Sequence, residues 1–487
     1  MKLKQIFMYG ICIGLTLPAA AMAKENKVDT SAQNALHLSI YNSNLAFVSD
    51  SREISLEKGL NQIAFAGVSS SLLPETAMLQ GNGIEVLEQN YNYNLINPQN
   101  ILQNSVGQKV KTALYDEKTG ETKYDEALIL DAGDSHPVLA FSYGIETAFP
   151  GRIIYKEIPS GLRNEPTLVI DVRAQQQGQQ DLTLDYMTRG LSWKADYVAD
   201  VITDEYIKLK SFVSLTNESG IDYKDASIQL ISGNVRNFTN YAPQAPMMRA
   251  AKTVSYDSAA VLNAESAVSQ ESFSDYYLYT LPEKTTLLNK QNKQVSLIDK
   301  NNVRYTKEYR SNSPIYLSYS ARNYGKYEKA HPQIVYKLEN KAENGLGTPL
   351  PTGTIRFFAK DSQDRQQFIG EARLPMLPVK EKAELTIGTA SDITIDGKID
   401  EIKAISKDKL IATVAHTFKN AKTEDVEIEF TQNFASNTEW KITKENLKGE
   451  KKNSSEQNWL VKIPASGETT LTYEVTLTNV NAQSSLR

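Results

Sequence analysis

Four histidines and one cysteine are all the imidazole and thiol that the 487-residue chain contains. His37, His136, His331 and His416 never fall at an i, i+4 or similar ligand spacing, so zinc chemistry would need residues gathered from distant segments. His136 and His331 each precede a proline, which favours extended or turn backbone. His416 alternates with apolar neighbours between Ile411 and Phe418 and reads as an ordinary strand residue. HExxH, Walker and EF-hand motifs and G-x-S-x-G are absent.

Two serine patterns imitate penicillin-recognising enzymes. Ser55-Leu56-Glu57-Lys58 and Ser406-Lys407-Asp408-Lys409 fit S-x-x-K, and Lys118-Thr119-Gly120 fits K-T-G. That chemistry needs the serine to open a helix, so that the lysine lies one turn away. Here Ser55 sits in an alternating strand that turns at Gly59, which separates the two side chains, and all three matches read as coincidence. Asp116-Glu117, Asp125-Glu126 and Glu424-Asp425 are adjacent pairs on turns. Neighbours on a strand face opposite ways, so they suit turn solvation better than general acid/base work. No catalytic, metal or cofactor-binding residue is assigned, and no cofactor is expected.

The elements that would position any site are strands. Ile54 and Leu56 point one way, Lys58-Gly59 turns the chain, and Ile63 and Phe65 read as the return strand. Val461 and Ile463, a turn at Ser466-Gly467, then Leu471, Tyr473, Val475 and Leu477 repeat the device near the C-terminus. Asp396-Gly397, between Ile393-Thr394-Ile395 and Ile399, predicts a further tight hairpin. The fold class is therefore mainly β: several antiparallel, immunoglobulin-like β-sandwich domains, with a small SH3-like barrel expected in the N-terminal region, from Pro98 through the Lys118-Thr119-Gly120 turn to Asp134. An outer-membrane barrel fits less well, because the alternating runs are short and Lys208, Lys210 and Glu429 fall among the strand residues.

The expected organisation is a signal peptide at 1–23, a flexible segment at 24–35 and an N-terminal β domain at 36–180. A central β domain follows at 181–323, carrying a low-complexity loop at 242–270, and an immunoglobulin-like region occupies 324–487. The glutamine run Gln175–Gln180 reads as an exposed hairpin loop. Lys2 and Lys4, the apolar run Ile6–Leu17 and Ala21-Met22-Ala23 have the order of a cleavable secretory signal, too short to span a bilayer. Cys12 lies inside that run, so cleavage after Ala23 leaves neither a lipid anchor nor any thiol. The net charge of −5, spread thinly, argues against a nucleic-acid partner. With 25 tyrosines against 14 phenylalanines, strands with one wet face are expected.

The most distinctive string is Gly190-Leu191-Ser192-Trp193-Lys194-Ala195-Asp196-Tyr197. It is followed in order by Leu215-Thr216-Asn217, Tyr223-Lys224-Asp225-Ala226, Leu230-Ile231-Ser232-Gly233 and Phe273-Ser274-Asp275-Tyr276-Tyr277-Leu278-Tyr279. Glu343-Asn344-Gly345-Leu346-Gly347, Pro349-Leu350-Pro351-Thr352-Gly353 and Phe418-Lys419-Asn420 complete the series. Together these resemble the bacterial domain of unknown function 4139, a family related to the mucoidy inhibitor A proteins. The resemblance implies an exported, β-rich protein and carries no catalytic residue. Gly190, Trp193 and Tyr197 are its signature; Trp193 and Tyr197 share one side of a strand and are expected to pin a core rather than hold a ligand. Tyr276, Tyr277 and Tyr279 are the candidate partner contacts. The function expected is a non-enzymatic envelope scaffold, periplasmic or at the cell surface, that binds a protein or glycan. The alternative is an envelope hydrolase using carboxylates from loops.

Overall fold

The computed structural model describes residues 25–92, 94–133, 136–159, 161–233, 269–273, 276–315, 317, 329–406, 408–436 and 438–479. The leader and most of the 242–270 segment lie outside them. The fold is mainly β, in several multi-stranded sheets, none of which closes into a barrel. Among the described residues no helix is long and apolar enough to cross a membrane.

Period-two alternation builds the first layers. Leu38 and Ile40 of Gln33–Tyr41, Val48, Ile54 and Leu56 of Leu45–Leu56, and Leu182, Leu184 and Tyr186 of Gly178–Thr188 all enter one core. These strands lie side by side in an eight-stranded sheet. A four-stranded sheet adds Glu25–Val28, Gly59–Ala66, Thr167–Ala174 and Ile84–Asn92 to the same core. Residues 25–28 and 33–41 are thus strands, so much of the stretch expected to be flexible is paired into sheets.

Lys58-Gly59 and the glutamine run are corners rather than hairpin turns. Leu45–Leu56 pairs with Gly178–Thr188 in one sheet, while Gly59–Ala66 pairs with Thr167–Ala174 in the other. Leu56 faces Gly178 and Gly59 faces Ala174, so a two-stranded ribbon bends from one sheet to the next at Lys58 and Gln175–Gln177. Gly59 has φ +102°, a bend that favours glycine. The expected boundary at 180/181 falls inside the strand Gly178–Thr188, and the N-terminal and central regions share one core.

A ten-stranded sheet forms the second wall of that core. Its axis is the 22-residue strand Gln291–Asn312, which pairs along its first half with Tyr206–Asn217 and along its second with Gln333–Glu339 and Val426–Asn433. Gly353–Lys360, Gln366–Leu374 and Lys382–Thr389 also belong here, so the expected 323/324 boundary cuts through paired strands. The C-terminal sandwich starts near Ala390 and borrows Tyr309 and Ile315 from the long strand's end. Among the described strands four pairings are parallel, each joining segments distant in sequence, where wholly antiparallel sheets were expected.

In the sandwich, Ile428 and Phe430 oppose Val461 and Trp459, and Leu471, Tyr473, Val475 and Leu477 close the second sheet. Ser466-Gly467 is again a corner, since Glu456–Ile463 and Glu468–Thr478 pair with different neighbours. Asp396-Gly397 makes no turn: the strand Ile393–Ala404 runs straight through it, and Gly397 lies opposite His416.

Residues 94–163 form an insert with a separate small core around Leu102, Val110, Ala127, Ile129, Leu139 and Phe141. Asn97 caps a short helix, Pro98–Asn104, and the Glu117–Gly120 turn joins Lys109–Asp116 to Glu121–Asp131. Val138–Phe141, Gly144–Glu146 and Arg152–Ile154 complete five strands. Gly144–Glu146 and Arg152–Ile154 remain edges, so this is an open sheet where an SH3-like barrel was expected. The strands at the two edges are three residues long, too short to curl round and meet.

Candidate functional site

The signature residues are buried. Gly190 has φ +84°, and a β-carbon there would lie 2.6 Å from Ser219 Cα, so only glycine fits the turn into Leu191–Val201. Trp193 donates its indole N–H to the Ile231 carbonyl at 3.2 Å and meets Tyr279 edge-on. Tyr197 is fully buried and donates to the Pro351 carbonyl at 2.7 Å. Burial pushes its phenol well up, so it stays protonated. These contacts tie four segments of the large core together and leave no surface for a ligand.

Of the three candidate contact tyrosines, Tyr279 is buried, 2% exposed, with its hydroxyl directed at the Pro349 carbonyl. It faces the core because it shares the parity of Tyr277 on a strand whose partner, Tyr223–Ser232, is itself interior. Tyr276 and Tyr277 are half-buried. The trio therefore forms no common exposed surface.

The histidines do not converge, and among the described residues no group of three or more His, Cys, Asp or Glu could hold a metal ion. His416 is fully buried among Phe418, Phe430 and Tyr473, its Nδ1 without a hydrogen-bond partner. Ser55 lies in the strand Leu45–Leu56 and Lys58 in the corner beyond it.

Carboxylates do gather at one place, a groove of about 570 Å³ where the long strand meets the C-terminal sandwich. Asp204, Glu308, Glu424, Asp425, Glu427 and Glu429 line it with Lys307 and Lys337. Arg310 stands among them, 2.9 Å from Glu308 and 2.9 Å from Glu429, and also pairs with Glu384. Its guanidinium holds the Glu384 carboxyl down to about 2. A carboxylate so fixed has no proton to donate at neutral pH. Sequence reasoning missed this cluster because its members come from strands that meet only in the fold.

The larger omission is the outer face of the insert sheet. Register and alternation define its rows. Ile145, Ala140, Leu128 and Lys109 stand across one row; Ile154, Lys111 and Glu126 across the next; Arg152, Ala113 and Tyr124 across a third; Tyr115 and Thr122 at the end. Tyr115 is 60% exposed, Tyr124 58% and Ile145 65%. The Lys111 ammonium lies 4.2 Å from the Tyr124 ring centroid, a cation–π contact. The opposite face packs onto the insert's own core; on this one the large and charged side chains are exposed, while Ala113 is buried and Leu128 and Ala140 are half-buried. At the root, Arg163 makes a two-pronged ion pair with Glu25 at 2.6 and 2.7 Å and exchanges backbone hydrogen bonds with Asn94 and Ile96. These fasten the insert to the first strand. A signal for the face was present: Ala127-Leu128-Ile129-Leu130 is apolar at both parities, in a unit too small to bury both sides.

No family model matches the chain, and no curated protein matches it.

Proposed function

We propose that this is an exported, non-enzymatic envelope protein whose β-domains form a rigid mount for one binding surface, the outer face of the insert sheet. The observation that carries this reading is the set of exposed Tyr115, Tyr124, Ile145 and Ile154, one from each row of the face, among Lys109, Lys111 and Arg152. Exposed tyrosine and isoleucine beside cations is the composition of an interface centre with a polar rim. The leader-like N-terminus supports export, with the periplasm as the favoured compartment. The ordered strings around Gly190–Tyr197 support membership of the domain of unknown function 4139 family. The competing hydrolase reading is weakened by the pairing of Glu308, Glu384 and Glu429 with Arg310, which leaves those carboxylates committed.

The test uses an amine-reactive cross-linker on intact cells, since Lys109 and Lys111 stand on the face itself. Higher-mass adducts should form with the native chain, in material released by osmotic shock. A Tyr115→Ser, Tyr124→Ser, Ile145→Ser variant should lose them while unfolding at the same temperature. Phe368→Ser, at an exposed apolar position elsewhere, should keep them. Adducts that survive the triple substitution, or that never form, contradict the proposal.

A further inference from the structure

We infer that the occupant of this face is a second copy of the same chain, docked head to tail through the acidic groove. The inference rests on the binding-surface reading above and names its partner. The insert face carries Lys109, Lys111 and Arg152 against two carboxylates, Glu126 and Asp131, around an exposed apolar centre. The groove carries the opposite pattern: six carboxylates against two lysines, with Leu460, 64% exposed, at its wall. Its inner carboxylates are met by Arg310 and Lys337. Asp204, Glu424 and Asp425 form no ion pair among the described residues, and Glu427 has only Lys462, at 3.7 Å. The uncompensated acid therefore lies where an incoming surface would meet it. The volume, about 570 Å³, admits more than one side chain.

The face thus offers exposed apolar side chains with an excess of positive charge, and the groove one exposed leucine with an excess of negative charge. Such pairing steers encounter and fixes register, while the buried apolar area supplies attraction. The two surfaces are different parts of the chain, so the contact is heterologous. A pair keeps a free face on one copy and a free groove on the other, and association extends along a line unless the rotation closes a ring.

Sedimentation velocity on the purified mature protein tests this. The average sedimentation coefficient should rise with protein concentration at about 50 mM salt and fall back at about 500 mM, where screening acts within a few ångströms. Lys111→Glu with Arg152→Glu makes the face acidic; Glu424→Lys with Glu427→Lys makes the groove basic. All four side chains are exposed, so folding is spared, which circular dichroism checks. Each double variant alone should associate at least about a hundredfold more weakly, because like charges then meet. Mixed together, the two should associate again, since an acidic face now meets a basic groove and a basic face an acidic one. Native protein that stays monomeric at every concentration, variants that associate as the native protein does, or a mixture that stays monomeric would each overturn the inference. If adducts form in cells through the face but contain other envelope molecules and no second copy, this inference falls and the binding surface stands. If no adduct forms at all, both fall.

Discussion

Gly397 lies directly across the ladder from His416, and a β-carbon on residue 397 would come within 3.1 Å of the imidazole Nδ1. The same atom would lie 3.1 Å from Ile315, which closes the sandwich from the end of the long strand. The missing side chain leaves room for the imidazole, which stands 4.6 Å from the Phe430 ring at a tilt of 59° and 6.0 Å from the more nearly parallel Tyr473 ring. Gly397→Ala should therefore overpack the C-terminal sandwich and cost about 1–3 kcal/mol. Urea unfolding followed by tryptophan fluorescence measures it, because Trp440 and Trp459 both belong to that core. An unchanged midpoint would show that the space is slack.

The same histidine sets an acid limit. Burial holds its pKa down to about 3, from an ordinary value of 6.5, so the unfolded chain takes up a proton that the folded chain refuses. Stability from this group is complete above about pH 6.5 and should fall by about 1.4 kcal/mol per pH unit as acid is added, down to about pH 3. His416→Phe should remove that slope between the two values. Equal slopes in both proteins would assign the acid sensitivity to other groups.

How much of this was legible in advance depends on the kind of contact. Alternation marks a strand one residue at a time, so Val461, Ile463, Leu471 and Tyr473 could be placed on core faces from sequence alone, and they do face the core. Pairing is not encoded that way. Lys58-Gly59 and Ser466-Gly467 have turn residues in a turn's place, yet both lead to another sheet, because a corner and a hairpin make the same local demand. Asp396-Gly397 misled for a different reason: the glycine is there for His416, a neighbour 19 positions on that only the fold reveals. The tyrosines were countable, but Tyr279 and Tyr124 differ only in what covers them.

Arg52 is fully buried beside Asp50, and it donates to Asp50 and to the carbonyls of Val28 and Ala66, which lie in the other sheet. Removing the cation leaves a buried, uncompensated carboxylate. Arg52→Leu should cost about 3–5 kcal/mol, and adding Asp50→Leu should recover much of it. Thermal unfolding of the two variants provides the comparison; a double variant no more stable than the single one would contradict this account of the pair.

Tyr197→Phe should leave the Pro351 carbonyl unsatisfied in the large core, at a cost of about 1–3 kcal/mol. It should leave cross-linking through the insert face untouched. Loss of cross-linking with stability unchanged would move the signature tyrosine from packing to binding.

The central claim is that partners meet the outer face of the insert. The most direct measurement places a photo-cross-linking amino acid at position 124 in one strain and at position 368 in another, both exposed in the fold. Irradiation of living cells should give a discrete adduct from position 124 and none from 368. Equal adducts from both positions, or none from 124, would contradict the account.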